Sequence, residues 1–304
     1  MRRILLIPRI KVQNANSLSS PFTIGFPAMT AWLGAVHALQ RKVNGSGFKN
    51  IRFKSVAVVC HEMNLMTYKG VGDYIFSIVG TGNPLVEKKK RKKGEPWEQF
   101  ERPPFIEEGR CHLVVSLAIE TEGFEIDEEE RFFDETKLHL ISGMKIASGD
   151  ILNFSDPEMI NVSDEKAFKK LIRKLMPGYA IIERRDLMTR AMIEEKDSIN
   201  AMLEYLKIMH RSKKNEDETV TWTSSRKEKG WIVPIATGFH GITDLGYADN
   251  QRDPNTPHRF AESVVTLGEF IMPYRINDLN RMLWETHVEY ENNLYLCQQK
   301  DRNY

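Results

Sequence analysis

Short amide and hydroxyl side chains are concentrated near the amino terminus, in the segment Gln13-Asn14-Ala15-Asn16-Ser17-Leu18-Ser19-Ser20. Basic residues surround this segment, since residues 1–61 carry nine Lys and Arg side chains and the first acidic residue is Glu62. Amides and hydroxyls on a loop can hydrogen-bond base edges and phosphates, while nearby cations supply an attractive field. The segment therefore predicts a contact with RNA, and a well-capped surface turn is the alternative that the residues leave open.

The two parts of the chain differ in charge. The first 61 residues sum to +9 and the remaining 243 to −8, so the whole-chain charge of +1 hides a basic unit joined to an acidic remainder. Such a division indicates that one end meets a polyanion and that the other end meets a protein partner.

Several classes of site are excluded by residue types and spacing. Three cysteines without CxxC spacing support neither a disulfide framework nor a cysteine zinc site. The eight histidines form no HxxxH or HExxH pair, and GxSxG and GxxxxGK[ST] strings are absent. We therefore expect no cofactor and no metal, and none of these catalytic motifs. The uncharged stretch Val12–Gln40 contains Asn, Ser and Pro residues unsuited to a membrane helix, so we expect a cytoplasmic protein without a membrane partner.

The elements that must position these residues follow from periodicity and from turn residues. Alternation predicts strands, and apolar spacing of three and four predicts helices. The predicted order β-α-β-β-α-β consists of Ile4–Val12, Pro27–Val43, Ile51–His61, Arg110–Glu120, Glu128–Ile141 and Lys145–Phe154. This order is typical of an α+β, ferredoxin-like sheet with two helices on one face and the other face open, the topology of RNA-recognition modules. The third strand has no aromatic residues, so we do not expect bases to stack on the sheet in the usual way.

Further RNA-binding candidates follow from this arrangement. On the first strand, Ile4, Leu6, Pro8, Ile10 and Val12 are predicted on one face, and Leu5, Ile7, Arg9, Lys11 and Gln13 on the other. On the third strand, alternation predicts one face of Cys111, Leu113, Val115, Leu117 and Ile119, and another of Arg110, His112, Val114, Ser116 and Ala118. Arg110 and His112 are therefore expected beside Arg9, Lys11 and Gln13 on the open side of the sheet. On the first helix, His37 and Arg41 lie one turn apart on the polar face, whereas Trp32 falls on the apolar stripe and is predicted to be core.

The pattern of regular structure breaks between the second and third strands, and we interpret 63–108 as an insertion. It carries the cationic run Lys88-Lys89-Lys90-Arg91-Lys92-Lys93. A solvated loop and a nuclear-import string are the alternatives. Because the run interrupts two central strands, we expect it to lie across a phosphate backbone. The predicted domains are thus 1–155, which binds RNA, and 156–304, a mixed and largely helical region that faces a partner. Its predicted helices are Asp164–Met176, Arg185–His210 and Asn277–His287, and its strands are Tyr179–Glu183 and Trp231–Ala236.

Several unusual strings are spread in order over nearly the whole chain: Leu5 to Asn16, Ser19 to Pro21, Gly25 to Pro27, Val36 to Arg41, Glu107 to Arg110, Leu175 to Ala180, Gly230 to Ile235 and Thr256 to Phe260. Together they resemble the Cas-five-type (second Csy) subunits of the type I-F CRISPR surveillance complex. The segment from Met63 to Pro104 departs most from this pattern.

The resemblance implies a non-catalytic RNA-binding subunit of the repeat-associated mysterious protein (RAMP) type. Such a subunit would cap the 5′ handle of the CRISPR RNA, pair with the large first Csy subunit, touch the backbone subunit and meet target DNA in the assembled complex. The RNA-binding set is then Arg9, Lys11, Gln13, Asn14, Asn16, Ser17, Ser19, Ser20, His37, Arg41, Arg110, His112, Lys88, Lys89, Lys90, Arg91 and Arg259. The rival interpretation is a metal-independent endoribonuclease that cuts repeat RNA with His37, His61 or His112 as general base.

Overall fold

The computed structural model describes residues 2–79, 85–87, 100–101, 108–124, 126–194, 197–251 and 253–299. Within these ranges the strands are β1 (Arg2–Asn16), β2 (Leu18–Ser20), β3 (Thr23–Ile24), β4 (Arg52–Leu65), β5 (Thr67–Tyr68), β6 (Ser77–Ile78), β7 (Val86–Glu87), β8 (Phe100–Glu101), β9 (Arg110–Glu122), β10 (Lys145–Ile146), β11 (Gly149–Asn153), β12 (Glu158–Val162), β13 (Tyr179–Glu183), β14 (Met209–Lys214), β15 (Val220–Ser225), β16 (Trp231–Gly241), β17 (Ala261–Ile271), β18 (Trp284–Glu289) and β19 (Leu294–Gln299). The α-helices are α1 (Met29–Gly45), α2 (Glu129–Ile141), α3 (Glu165–Leu175), α4 (Arg185–Ile193) and α5 (Ser198–Leu206).

Eleven of the strands form one large sheet, in which every pairing is antiparallel. The order is β10-β11-β1-β9-β4-β13-β17-β16-β19-β18, and β12 also pairs with β1. The neighbours β11, β1, β9 and β4 come from the four strand segments that periodicity predicts, and α1 and α2 pack together against one face of them. The ferredoxin-like assignment of this part of the fold stays our proposal.

A β-bulge in β1 changes which of its side chains face the helices. Pairing with β9 shifts between Ile7 and Ile10, and Arg9 there adopts a positive φ of 55°. As a result Leu5, Ile7, Ile10 and Val12 all enter the core beneath the helices. The predicted strict alternation of β1 is therefore wrong beyond Ile7, because a bulge inserts an extra residue and exchanges the two faces.

The second face of the sheet is covered over part of its area. Ile4, Leu6, Ala57, Val59 and Ala118 form a second core with α3, β13 and two 3-10 segments, Pro273–Arg275 and Leu279–Met282. The prediction of a fully open face is wrong at this end. Among the described residues, the end of this face beyond the bulge keeps exposed side chains, and Lys11 of β1 is one of them.

Strands from the carboxy-terminal half close a ring with β4. In the order β4, β13, β17, β16, β19 and β18 each strand pairs with the next, and β18 returns to β4 where Trp284 lies opposite Val56. Trp284 is fully buried and its indole Nε1 donates to the carbonyl oxygen of Ile181 at 2.9 Å. The pairing of β12 with β1 and of β13 with β4 carries the sheet across the predicted boundary at residue 155.

Three predicted elements differ from the structure. Lys145–Phe154 is a hairpin, β10 and β11, because Ala147 and Ser148 both adopt positive φ and form a tight turn. The predicted helix Arg185–His210 is interrupted, because Asp197 begins α5 by accepting from the Asn200 amide at 2.9 Å. His210 lies in β14 instead. The predicted helix Asn277–His287 is one 3-10 turn, Leu279–Met282, followed by β18. The helix does not continue because Trp284 pairs with Val56 of β4 as part of a strand.

Described parts of the predicted insertion 63–108 contain short hairpins. The strand β4 continues to Leu65, and β5 pairs with β6 and β7 with β8. The basic candidates Lys88, Lys89, Lys90 and Arg91 lie outside the described residues.

Candidate RNA-binding face

Polar side chains from β1, β9 and β4 form rows across the accessible end of the sheet. Lys11, Val114 and Glu62 lie opposite one another on the three strands, and His112 lies opposite Asn64 in the next row. Residues directly opposite in antiparallel strands share a face. Because Lys11, Gln13, Glu62 and Asn64 are exposed, these rows present a cation, a carboxylate and two amides to solvent, and the half-buried imidazole of His112 lies beside them. We name this surface the candidate face.

Arg110 and His112 lie against the backbone of Asn14, as the prediction of adjacent strands requires. Asn14 has a positive φ of 60°, and its amide donates to His112 Nδ1 at 3.1 Å. The guanidinium of Arg110 donates to the Asn14 carbonyl oxygen at 3.5 Å and also pairs with the carboxylate of Glu108. The second bulge of β1 is therefore held by the two residues on β9, which leaves the Asn14 side chain exposed.

Arg9 joins the candidate face to the turn that follows α3. Its amide donates to the Ser116 hydroxyl at 3.0 Å, and its Nη2 donates to the carbonyl oxygen of Met176 at 3.1 Å. The guanidinium is half-buried. Arg9 thus has a structural partner as well as a position at the edge of the candidate face.

His61 completes this junction. Its Nδ1 lies 2.6 Å from the carbonyl oxygen of Pro177, and its Nε2 lies 2.6 Å from the hydroxyl of Ser116. Since a carbonyl only accepts, Nδ1 carries the proton and Nε2 accepts from the serine. A Cβ on Gly178 would approach Nδ1 to 2.6 Å, so glycine permits this contact.

The surroundings of His61 favour its neutral form. Burial lowers the pKa of His61 below its ordinary value, and the charge of Arg9 acts in the same direction. The bond to the Pro177 carbonyl and the charge of Glu62 oppose this shift without reversing it. Both ring nitrogens of this general-base candidate are engaged, and the serine that it contacts is fully buried.

The segment from Asn16 to Ser20 is more ordered than a loop. The side chain of Asn16 bonds both backbone groups of Leu18, at 3.0 Å and 3.2 Å. Ser17 is fully buried and Ser20 is 5% exposed, with the Ser20 hydroxyl 2.7 Å from that of Thr23. The hydroxyl of Ser19, which is half-buried, contacts the same threonine at 2.8 Å. Burial removes Ser17 and Ser20 from the surface that RNA can reach, whereas Asn16 and Ser19 stay at its margin.

The remaining described candidates lie away from the candidate face. His37 and Arg41 are exposed on α1, which covers the opposite face of the sheet. His37 lines an open cleft of about 630 Å³ between α1, β4 and β18. Arg259 lies near the end of β16, where its guanidinium bonds the side chain of Asn293. The structure therefore brings Arg9, Lys11, Gln13, Asn14, Arg110 and His112 together and separates these three from them.

Three further findings concern the core, metal binding and the membrane. Trp32 is fully buried and its indole donates to the Pro27 carbonyl at 3.2 Å, which confirms its predicted place in the core. Among the described residues, no group of three or more His, Cys, Asp or Glu side chains is placed to hold a metal ion. No helix in the same ranges is long and apolar enough to cross a membrane.

Sequence reasoning missed Asn64 and Ser116. Asn64 lies beyond the predicted end of the second strand at His61. In the structure β4 continues to Leu65, with exposed and half-buried residues alternating. Ser116 lies on the predicted open side of β9, yet it is fully buried and its hydroxyl bonds the ring of His61.

Comparison with known proteins gives a family match along almost the whole chain. A family model described as CRISPR-associated protein (Cas_Csy2) matches residues 5–297. The chain is similar to the CRISPR-associated protein Csy2 of Pseudomonas aeruginosa (strain UCBPP-PA14), with 33% identity over 322 residues that cover 96% of this chain and 94% of that protein.

Proposed function

Because this chain belongs to the Csy2 family of CRISPR-associated proteins, we propose that it is the crRNA-capping subunit of a type I-F CRISPR surveillance complex. In this proposal the candidate face binds the 5′ handle of the CRISPR RNA. The large first Csy subunit and the backbone subunit bind elsewhere on the chain, and the assembled complex meets target DNA in the cytoplasm.

The observation that carries the proposal is the group of unblocked polar side chains at one end of the sheet. Lys11 and Gln13 are exposed on the same strand, and β9 places His112 beside them. Lysine supplies charge for phosphates, and amide and imidazole groups can hydrogen-bond the edges of unstacked bases. Among the described residues, the rows of the candidate face contain no exposed aromatic ring, so RNA recognition there relies on hydrogen bonds rather than on stacking.

The proposal assigns RNA binding without catalysis. A general base must reach a substrate hydroxyl, whereas both ring nitrogens of His61 are already bonded, one of them to a fully buried serine. His112 receives the Asn14 amide at Nδ1. To test this against the endoribonuclease alternative, purified protein is incubated with repeat RNA in EDTA, and we expect no discrete product. A product that disappears in His112→Ala or His37→Ala protein would support the nuclease instead.

Handle binding is tested in the assembled complex. We expect the double variant Lys11→Ser, Gln13→Ala to retain less handle RNA after a salt wash. The slope of log K against log salt concentration should become smaller in magnitude by roughly 0.7, because one phosphate contact is lost. The matched control is Lys42→Ser on α1, an exposed cation on the opposite face. Equal RNA retention by wild type, double variant and control would place the handle elsewhere.

A further inference from the structure

A separate hairpin, β14 and β15, projects from the carboxy-terminal half. Its six pairs run from Met209 opposite Ser225 to Lys214 opposite Val220, and all twelve residues are exposed. The ladder is about 20 Å long at roughly 3.4 Å per residue. A two-stranded hairpin in water is only marginally stable, so a partner that covers one of its faces would stabilise it.

The two faces of the hairpin differ. One face carries Trp222 opposite Ser212, with the pair His210 and Ser224 on one side and the pair Lys214 and Val220 on the other. The indole of Trp222 is 69% exposed, and it stacks on no ring or cation in the described part of the chain. The opposite face carries two cations across from two hydroxyls, Arg211 opposite Thr223 and Lys213 opposite Thr221.

The strands of this hairpin carry an excess of positive charge. The twelve strand residues include no Asp or Glu. Five exposed cations on the strands and at their base form no ion pair with any described residue: Lys207, Arg211, Lys213, Arg226 and Lys229. In the turn, the Asp217 carboxylate accepts from the Thr219 hydroxyl at 2.6 Å, and Glu218 lies 3.7 Å from Lys214. The acidic side chains thus gather at the tip, and the flanks stay cationic.

We propose that this hairpin is a second nucleic-acid contact, which binds single-stranded RNA without sequence preference. A base stacks on Trp222 on one face, and the strand then passes over an unpaired edge of the two-stranded hairpin, so that the next phosphates reach Arg211 and Lys213 on the other face. Aromatic platforms combined with basic side chains are the means by which proteins hold unpaired strands. The hydroxyls of Thr221 and Thr223 lie beside the cations, where they can bond a ribose 2′-hydroxyl.

Duplex DNA fits the hairpin less well. A double helix buries its bases and offers nothing to stack on Trp222, and the acidic tip would be repelled from a groove. The hairpin is joined to α5 and β16 rather than to β1 or β9. Its contact therefore does not depend on the candidate face.

The test uses the full chain and a fluorescein-labelled 12-nucleotide oligouridine RNA, with binding followed by anisotropy. Trp222→Ala should weaken binding about tenfold, which is the loss of one stacked base. Tyr290→Ala removes another exposed aromatic, in the turn after β18, and should leave binding unchanged. Unfolding curves in urea confirm that both variants fold.

A second variant tests the cations. Arg211→Ser with Lys213→Ser should lower the salt dependence by roughly 1.4, for two phosphate contacts. Replacing Lys166 and Lys170 by serine on the exposed side of α3 is the matched control and should leave the slope unchanged.

Each remaining outcome overturns a stated part of the inference. Unchanged affinity of the Trp222→Ala protein would refute the stacking site. Tighter binding of a 20-base-pair DNA duplex that is insensitive to Trp222→Ala but weakened by Arg211→Ser with Lys213→Ser would assign the hairpin to duplex DNA. Equal binding of oligodeoxythymidine would refute the role of the 2′-hydroxyl. Loss of oligouridine binding in Lys11→Ser protein alone would assign the RNA to the candidate face. If handle binding fails while Trp222→Ala still weakens oligouridine binding, the proposed function is refuted and this inference is unaffected.

Discussion

Removing the imidazole of His61 should destabilise the junction between the sheet and the turn after α3. In His61→Ala protein the Ser116 hydroxyl, which is fully buried, loses its acceptor, and the Pro177 carbonyl loses a donor at a site that water can reach. An unsatisfied buried polar group costs about 1–3 kcal/mol, and the exposed carbonyl adds little because water replaces the ring. We expect the free energy of unfolding to fall by about 2 kcal/mol at pH 8.

The pH dependence of this difference gives a second, independent measurement. Because burial lowers the pKa of His61 in the folded chain, the unfolded chain takes up the proton first as the pH falls. The stability that neutral His61 contributes is complete above the ordinary value of 6.5 and is lost as the pH drops from there toward the folded pKa. The difference in free energy of unfolding between wild type and His61→Ala should therefore become smaller as the pH falls from 7 to 5.

Urea unfolding followed by tryptophan fluorescence at several pH values measures both effects. The control is His287→Ala, which removes a histidine whose Nε2 lies 3.1 Å from Glu289 at the surface. A side-chain contact at the surface contributes under about 1 kcal/mol, so this control should lose less stability at pH 8 than His61→Ala. Equal losses in the two variants, or a gap for His61→Ala that stays constant with pH, would refute the assigned tautomer and the burial argument.

Three other changes test the fold. Trp284→Phe leaves the Ile181 carbonyl without its buried donor and should cost about 1–3 kcal/mol in urea unfolding. Gly123→Ala should give little soluble protein on expression, because φ is +71° and a Cβ would come within 2.0 Å of the Asn50 carbonyl oxygen; a soluble variant of normal stability would contradict this geometry. Burial raises the thiol pKa to about 12 for Cys60, about 11 for Cys111 and about 12 for Cys297. Folded protein should therefore react with a thiol reagent at pH 8 far more slowly than urea-unfolded protein.

Features that depend on local periodicity and on side-chain chemistry could be predicted from the amino-acid sequence. Alternation placed Cys111, Leu113, Val115, Leu117 and Ile119 of β9 in one core, and the structure confirms all five. The predicted strand Tyr179–Glu183 matches β13. Helical spacing likewise placed Trp32 in the core. These predictions succeed because each residue's environment repeats with the period of its own element.

Tertiary structure decided which side chains the surface finally offers. The bulge at Arg9 exchanges the faces of β1, and no local pattern marks it, since Arg9 is not a residue type that favours a positive φ. Ser17 and Ser20 are as polar as Gln13, yet strand pairing and the contact with Gly109 bury them. The ring closed by β18 against β4 joins residues more than 200 positions apart. Such long-range pairing is set by the summed burial of many elements, so the composition of any one segment does not reveal it.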